Sequence, residues 1–433
     1  MGSMDQKPIL IVGSGISGLL LAQHLRKSSV PFRLYERDYD LTTRGLGWGL
    51  TLHWSLPAVR SLLPEDLVSR LPEAYVDRSA VEQGRPSTFP FFDLSTGELK
   101  ASTPNADESQ RIRVSRDKFR QLLATGLDIQ WGKGATGQVE TDEQDGSVRV
   151  HFEDGTVSEK GSIVVACDGG SSRLRQALFP NSEKFKIPVR LMGVKVECTP
   201  EEIEPLRKLD PYFLQGAASE NDTFVYFSTL DAPGNGTGRD TYTCQIVVSW
   251  PIRDNFFQSA APIPFPETNL DSVKLIKTFA STWAEPFRSL VMTIPERTTE
   301  VKCLDLYDWP PPKDLRTNGK VILVGDALHP MAMYRGEGAN HAIVDVKEFV
   351  DTVVPHLDGS QTDLRAALDA YEDKAVARTR PAVLASRQAC LDAHEWEKIG
   401  PASPLLSKRA MNVGFDEETM KLIVQVDEHT PQS

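Results

Sequence analysis

The chain has 433 residues, 40% hydrophobic and 25% charged, which excludes disordered, collagen-like and small disulfide-scaffold proteins and leaves room for roughly three modules. Lys plus Arg number 48 against 60 Asp plus Glu; a net charge of −12 with no local basic cluster excludes a nucleic-acid binder that lives on phosphate contacts. The five cysteines are odd in number, widely spaced and without a C-x-x-C pair, so neither a disulfide framework nor a zinc site is expected, and a reducing compartment is.

No apolar run is long enough to span a bilayer. Met1-Gly2-Ser3-Met4 reads as an added start with no signal-peptide core behind it. A soluble cytoplasmic enzyme with no membrane partner is the expectation. The first element is a buried-strand run, Pro8-Ile9-Leu10-Ile11-Val12, which breaks into Gly13-Ser14-Gly15-Ile16-Ser17-Gly18. A helical stretch from Leu19 to Lys27 follows, then a second strand, Phe32 to Tyr35, ending on Glu36. This order suits a dinucleotide. Gly13 makes the tight turn, Gly15 lets backbone approach a pyrophosphate, and Gly18 allows close helix packing. The helix N-terminus offers free N–H groups to the phosphates, and Glu36 stands where a carboxylate accepts from a ribose hydroxyl pair. The other reading of these residues is a glycine-rich turn without a ligand.

Residues 79–102 add a strand or two to a later sheet. The run Ser162 to Ala166 is again an apolar strand, delivering Cys167, Asp168, Gly169 and Gly170 to its end, with Arg173 and Arg175 beyond. Between Glu183 and Pro295 period-two segments alternate with Gly-, Pro- and Asp-rich loops, which reads as an antiparallel sheet. Arg190, Met192, Val194 and Val196 share one predicted face, and Phe224, Tyr226 and Ser228 align on a later strand. An arginine on an apolar face calls for a partner. Arg190 with Tyr226 is the predicted catalytic pair, holding a phenol, indole or polyketide-like aromatic; the plainer alternative pairs Arg190 with Glu197 or a loop aspartate. A third strand, Val321 to Val324, presents Gly325 and Asp326, and a glycine turn, Gly336-Glu337-Gly338-Ala339-Asn340, opens a helix. Three strand ends from distant sequence predict one long cofactor lying across one sheet.

These motifs, in this order, resemble the FAD-dependent aromatic hydroxylases, the single-component flavoprotein monooxygenases related to salicylate and para-hydroxybenzoate hydroxylases. Arg116, opening a predicted helix, matches a flavin-contacting arginine of the family, and Tyr371-Glu372, Arg378 and Arg380-Pro381 match its C-terminal helix. The resemblance covers most of residues 8–390. It implies an α/β fold: a discontinuous Rossmann-like FAD domain (residues 4–78, 103–182 and 296–360), an inserted mostly antiparallel substrate domain (79–102 and 183–295), and a C-terminal helical segment (361–433). It implies that Gly13, Gly15, Ile16, Ser17, Gly18, Glu36 and Arg37 hold the ADP half of FAD. Arg116, Gly325 and Asp326 would serve the pyrophosphate and ribityl region, and Gly336, Gly338, Ala339 and Asn340 the pyrimidine side of the ring. Asp168 would serve FAD and NAD(P)H together, or else only brace the Arg175 region.

The activity implied is oxygenation of a small aromatic molecule with NAD(P)H and O2 through a C4a-hydroperoxyflavin, by hydroxylation or epoxidation, with no metal. One departure matters. Where the family carries two prolines and a glutamine, this chain reads Met331-Ala332-Met333-Tyr334-Arg335-Gly336-Glu337. That change keeps two rivals open, a redox-neutral cyclisation or isomerisation and a non-oxygenating flavin dehydrogenase. His329 reads as a supporting residue and His341 as a packed helix residue.

Overall fold

The computed structural model describes residues 7–43, 47–236, 238–297, 299–357 and 361–423. The Met1 to Met4 reading and the outer limits predicted at 4, 360 and 433 lie outside them. Five short strands form a parallel sheet in the order Val321–Leu323, Ile163–Ala166, Ile9–Val12, Phe32–Tyr35, Ile129–Gln130. A parallel sheet must bury both faces, and the central strands read Ile-Leu-Ile-Val and Ile-Val-Val-Ala for that reason. The helix Ile16–Lys27 covers it with Leu19, Leu20, Leu21 and Leu25, all fully buried. Each contributes about 1.5–3 kcal/mol. The register sets Ile9 between Ile163 and Phe32, so Gly13, Glu36 and Cys167 leave the sheet at one edge.

A second sheet has seven strands in the order Val301–Asp308, Phe185–Cys198, Tyr242–Pro251, Phe224–Asp231, Phe213–Ala217, Phe91–Asp93, Leu99–Ala101. All neighbours are antiparallel except Phe213–Ala217 with Phe91–Asp93. The helices Asn269–Ala280 and Phe287–Met292 pack on one face against Met192, Val194, Val248 and Trp250. The other face, with Val189, Leu191, Phe224, Tyr226 and Val247, packs with Ala332, Tyr334 and Ala389 from the later part of the chain. Both faces are therefore apolar.

Two predicted boundaries are corrected. Residues 296–360 were expected in the FAD domain, yet Val301–Asp308 is the edge strand of the large sheet, paired with residues 185–194. As an edge strand it leaves Lys302 to Asp305 exposed and carries no clean alternation, so its pattern is weak. The segment from 361 onward is not purely helical: beyond the helix Gln361–Asp392 it carries a hairpin, Gly414–Asp416 against Lys421–Ile423. That long helix joins the two halves. Leu368, Tyr371 and Ala375 enter the core of the parallel sheet, and Ala389 and Cys390 that of the large sheet. No helix among the described residues is long and apolar enough to cross a membrane.

Candidate active site

The glycine turn is fixed by sterics. Gly13 sits at φ +104°, and a Cβ there would overlap the Cys167 carbonyl; a Cβ on Gly18 would overlap the carbonyl of Gly13. Gly15 differs, because nothing in the protein lies within 4 Å of a Cβ built there. The open side of Gly15 faces a groove. Its first part, about 310 Å³, is lined by Gly13, Ser14, Glu36, Arg37, Arg120 and Asp168. Its second part, about 380 Å³, is lined by Ile16, Ser17, Trp48, Asp326, Gly336, Gly338 and Ala339. Gly15, Arg116, Cys167 and Gly169 belong to both. The helix Ile16–Lys27 enters the junction with no side-chain cap, which leaves its first N–H groups for an anionic ligand.

Glu36 is buried and already structured. One oxygen accepts from the Ser14 N–H (2.7 Å) and hydroxyl (2.8 Å), the other from the Asp38 N–H (3.0 Å). Arg120 donates to the Ser14 carbonyl at 2.9 Å and stands 3.8 Å from the Glu36 carboxylate. Asp168 accepts from the Arg173 N–H at 3.1 Å, its other oxygen has no protein partner, and burial pushes its carboxyl pKa up. Arg175 is braced elsewhere, donating to the carbonyls of Gly170 (2.7 Å), Ala327 (2.9 Å) and Asp326 (3.2 Å). It thereby ties the second glycine segment to the third.

At the far end, Gly325 sits at φ +65° and donates its N–H to Asp345 at 2.7 Å. The same carboxylate meets His329 Nε2 at 2.7 Å and Arg378 at 2.7 Å, all three buried. Burial alone would raise the Asp345 pKa; the charges of His329 and Arg378 outweigh it and hold it down to about 2. His329 is thus bound to a carboxylate behind the groove, and His341 packs against Trp54 with burial and Arg378 holding it neutral. Asn340 does not face the groove. Its oxygen accepts from the Ser55 hydroxyl (2.7 Å) and the His53 N–H (3.1 Å), and its amide donates to the Thr51 carbonyl (2.9 Å). It fixes the helix Gly338–Thr352 to the strand Gly49–Leu52.

The altered 331–337 segment divides in two. Met331, Ala332, Met333 and Gly336 line the cavity. Arg335 and Glu337 do not; they form a buried ion pair (2.7 Å) that holds the tail. Arg335 donates to Ser407 (2.6 Å), to the Lys408 carbonyl (3.2 Å) and to the Pro404 carbonyl, while Glu337 accepts from the Ala410 N–H at 3.2 Å.

The large sheet supplies the other wall through Leu191, Phe213, Gln215, Tyr226 and Leu306. Tyr226 is there as expected; Arg190 is not. Arg190 shares a face with Met192 and Val194, and that face packs on helices. Its guanidinium donates to the Ile263 carbonyl and stacks on Phe265, with centroid distance 5.5 Å. The pairing Tyr226–Val247–Gly193 puts Tyr226 on the odd-numbered face of the strand and Arg190 on the even one. The expected Arg190–Tyr226 pair is therefore replaced by another. Arg113, on the strand Ile112–Ser115, donates to the Tyr226 hydroxyl, to Thr51 Oγ1 (2.7 Å) and to Ser228 Oγ (2.8 Å). The signal for it was a basic residue alternating within Ile112-Arg113-Val114-Ser115, three residues before Arg116.

A family model described as FAD binding domain matches residues 6–221 and 282–386, which hold every lining residue named above except Tyr226. The chain belongs to the family of FAD-dependent monooxygenases that carry this FAD-binding domain. It is 43% identical over 98% of its length to the whole of an Arthroderma benhamiae protein named "Probable FAD-dependent monooxygenase". It is 33% identical to the FAD-dependent monooxygenase tazP of Aspergillus terreus, over 84% of this chain and 94% of that one. The 2,6-dihydroxypyridine-3-hydroxylase of Arthrobacter nicotinovorans shares the fold at TM-score 0.68 and 19% identity, over 93% of this chain and 96% of that one. Klebsiella pneumoniae HpxO, solved with FAD and uric acid, does so at TM-score 0.65 and 19% identity, over 90% of each chain. The flavoprotein is an FAD-dependent monooxygenase. Its groove fits that cofactor: open at Gly15 where a diphosphate must approach, buried and carboxylate-bearing at one end, wider and apolar at the other.

Proposed function

We propose that this monooxygenase uses NAD(P)H and O2, in the cytoplasm, to hydroxylate or epoxidise an electron-rich aromatic, indole or polyketide-like small molecule. The observation that carries the reading is the cavity of about 380 Å³ whose one wall is the glycine-rich backbone of Gly15, Gly336, Gly338 and Ala339 and whose other wall is the aromatic and aliphatic face of the large sheet. Bound FAD would supply the reduction and oxygen-activation chemistry, which no side-chain constellation among the described residues offers. Gly13, Gly15, Gly18, Glu36, Arg37 and Asp168 would hold its ADP half, and Arg116, Gly325 and Asp326 its middle. The uncapped N-terminus of the helix Gly338–Thr352 would stabilise negative charge on the ring. Trp48, Leu191, Phe213 and Leu306 would keep water from the reacting atoms. Asn340 and Asp345 position the backbone rather than touch the ligand.

The redox-neutral rival rested on the altered 331–337 segment. Its two charged residues serve the tail, which favours oxygenation. The deciding experiment is substrate-stimulated NAD(P)H oxidation under labelled O2. One labelled oxygen in the product is expected; product formed without label, or without NAD(P)H consumption, overturns the reading.

A further inference from the structure

Six arginines are buried among the described residues: Arg113, Arg120, Arg175, Arg207, Arg335 and Arg378. Four stand beside a carboxylate: Arg207 at 2.8 Å from Asp77, Arg335 at 2.7 Å from Glu337, Arg378 at 2.7 Å from Asp345, and Arg120 at 3.7 Å from Asp38. Arg175 has three backbone carbonyls. Arg113 alone has neither. Its terminal nitrogens meet only the hydroxyls of Thr51, Tyr226 and Ser228, and its buried Nε has no partner. A cation taken out of water is costly unless an anion compensates it.

The surroundings are built around this guanidinium. It stacks 4.8 Å from the ring centroid of Phe213 and 5.8 Å from that of Tyr226. A Cβ on Gly49 would collide with it and stand 2.9 Å from Ser228 Oγ, so glycine at 49 makes its room. Thr51, Arg113 and Phe213 form the wall between the flavin-facing cavity, about 380 Å³, and an outer polar cavity of about 570 Å³. The three hydroxyl oxygens accept from Arg113, so the Tyr226 proton points elsewhere and can be donated to the same ligand atom.

We propose that Arg113 binds an anionic oxygen of the substrate, an ionised phenol, enol or carboxylate, at the wall between these two cavities. The proposal rests on the oxygenase reading for what the cavity does and adds the class of molecule it selects. Holding a ring oxygen as its anion enriches the carbons ortho and para to it, where an electrophilic oxygen is accepted. The outer cavity, with Arg85, Arg111, Asp107 and Glu108 in its lining, then receives polar substituents on the far side of that oxygen.

The test uses FAD-loaded enzyme and two matched probe pairs at neutral pH: 2-hydroxy-1,4-naphthoquinone against its methyl ether, and 2-naphthoate against 2-naphthamide. Binding is read from the flavin absorption spectrum and by calorimetry. Wild type should favour the anion in at least one pair by tenfold or more. Arg113→Met should abolish the preference and Arg113→Lys retain part of it, both with FAD content unchanged. Equal binding or no binding within both pairs in wild type overturns the proposal, as does an unchanged preference in Arg113→Met. Should Arg113→Met fail to fold, the wild-type comparison alone decides. NAD(P)H-dependent flavin reduction is followed in parallel: its absence counts against the oxygenase reading, whereas its presence without anion preference counts against Arg113 alone.

Discussion

The two sheets announce themselves differently. In the parallel sheet the ligand edge is marked by backbone demands: Gly13 and Gly18 are glycines because any Cβ would strike a carbonyl. In the seven-stranded sheet the ligand wall is marked only by side-chain chemistry, and both faces are apolar. Alternation shows which residues share a face but not which face meets the ligand. Steric requirements can be read from a one-dimensional pattern, whereas the choice between two buried faces depends on elements far away in the chain.

The largest expected effect lies behind the parallel sheet. Asp345→Asn leaves His329 and Arg378 buried without their shared carboxylate and should lower stability by about 3–5 kcal/mol, read from denaturant unfolding. The pH profile follows from the same group. A folded pKa of about 2 lies below the unfolded value of roughly 3.9, so its contribution is complete above about pH 4 and lost as the pH falls through 2. Asp345→Asn should therefore show a shallower acid decline over that window.

The glycines sharpen the comparison directly. Gly18→Ala should cost about 1–3 kcal/mol through overlap with the Gly13 carbonyl. Gly15→Ala should leave the melting temperature of the flavin-free protein unchanged and still abolish FAD retention. A matched loss of melting temperature in both variants would refute the claim that the space beside Gly15 belongs to the cofactor. Glu36→Ala, at the end of the neighbouring strand, should weaken FAD by about 1.5–3 kcal/mol, the range for charge-assisted bonds, in a flavin titration.

Both halves bury neutral histidines. His394 donates Nδ1–H to the Cys390 carbonyl and meets Ser249 through Nε2, and burial depresses its pKa to about 4. The unfolded chain takes up that proton near pH 6.5, so stability is full above about 6.5 and declines toward 4. His394→Gln should flatten this part of a melting-temperature profile. The smallest effect belongs to Arg190→Gln. With its side chain on the helix-packed face, product formation should stay near wild type and stability fall by under about 1 kcal/mol. A large loss of turnover with FAD retained would reverse the assignment of the two faces.

The division between legible and illegible follows the same line. The glycine turn, the acid at Glu36 and the Gly325-Asp326 strand end were readable because period, turn chemistry and spacing coincide locally. Tyr226 was readable as a sheet residue. Arg190 was misplaced by the parity of a strand with two apolar faces, and Val301–Asp308 by its exposed edge position. Arg113, Asp345 and Arg335 derive their meaning from partners 62 to 115 residues away, 16 to 33 away, and 69 to 73 away respectively, separations that no local turn or strand pattern reveals.

The Arg335–Glu337 clamp has a consequence for biosynthesis. The parallel sheet needs strands that begin at Ile9, Ile163 and Val321, and the turn beside the ring is anchored by Pro404 to Lys408. Ribosomes deliver these pieces in that order, so the turn has its anchor only after Pro404 to Lys408 have emerged. A nascent chain stalled before Pro404 would carry Arg335 and Glu337 as a salt bridge open to water, beside a turn with nothing behind it. The ring side of the pocket is thereby the last part of it to gain its support, since Arg335 and Glu337 wait for residues 69 to 73 positions further along the chain.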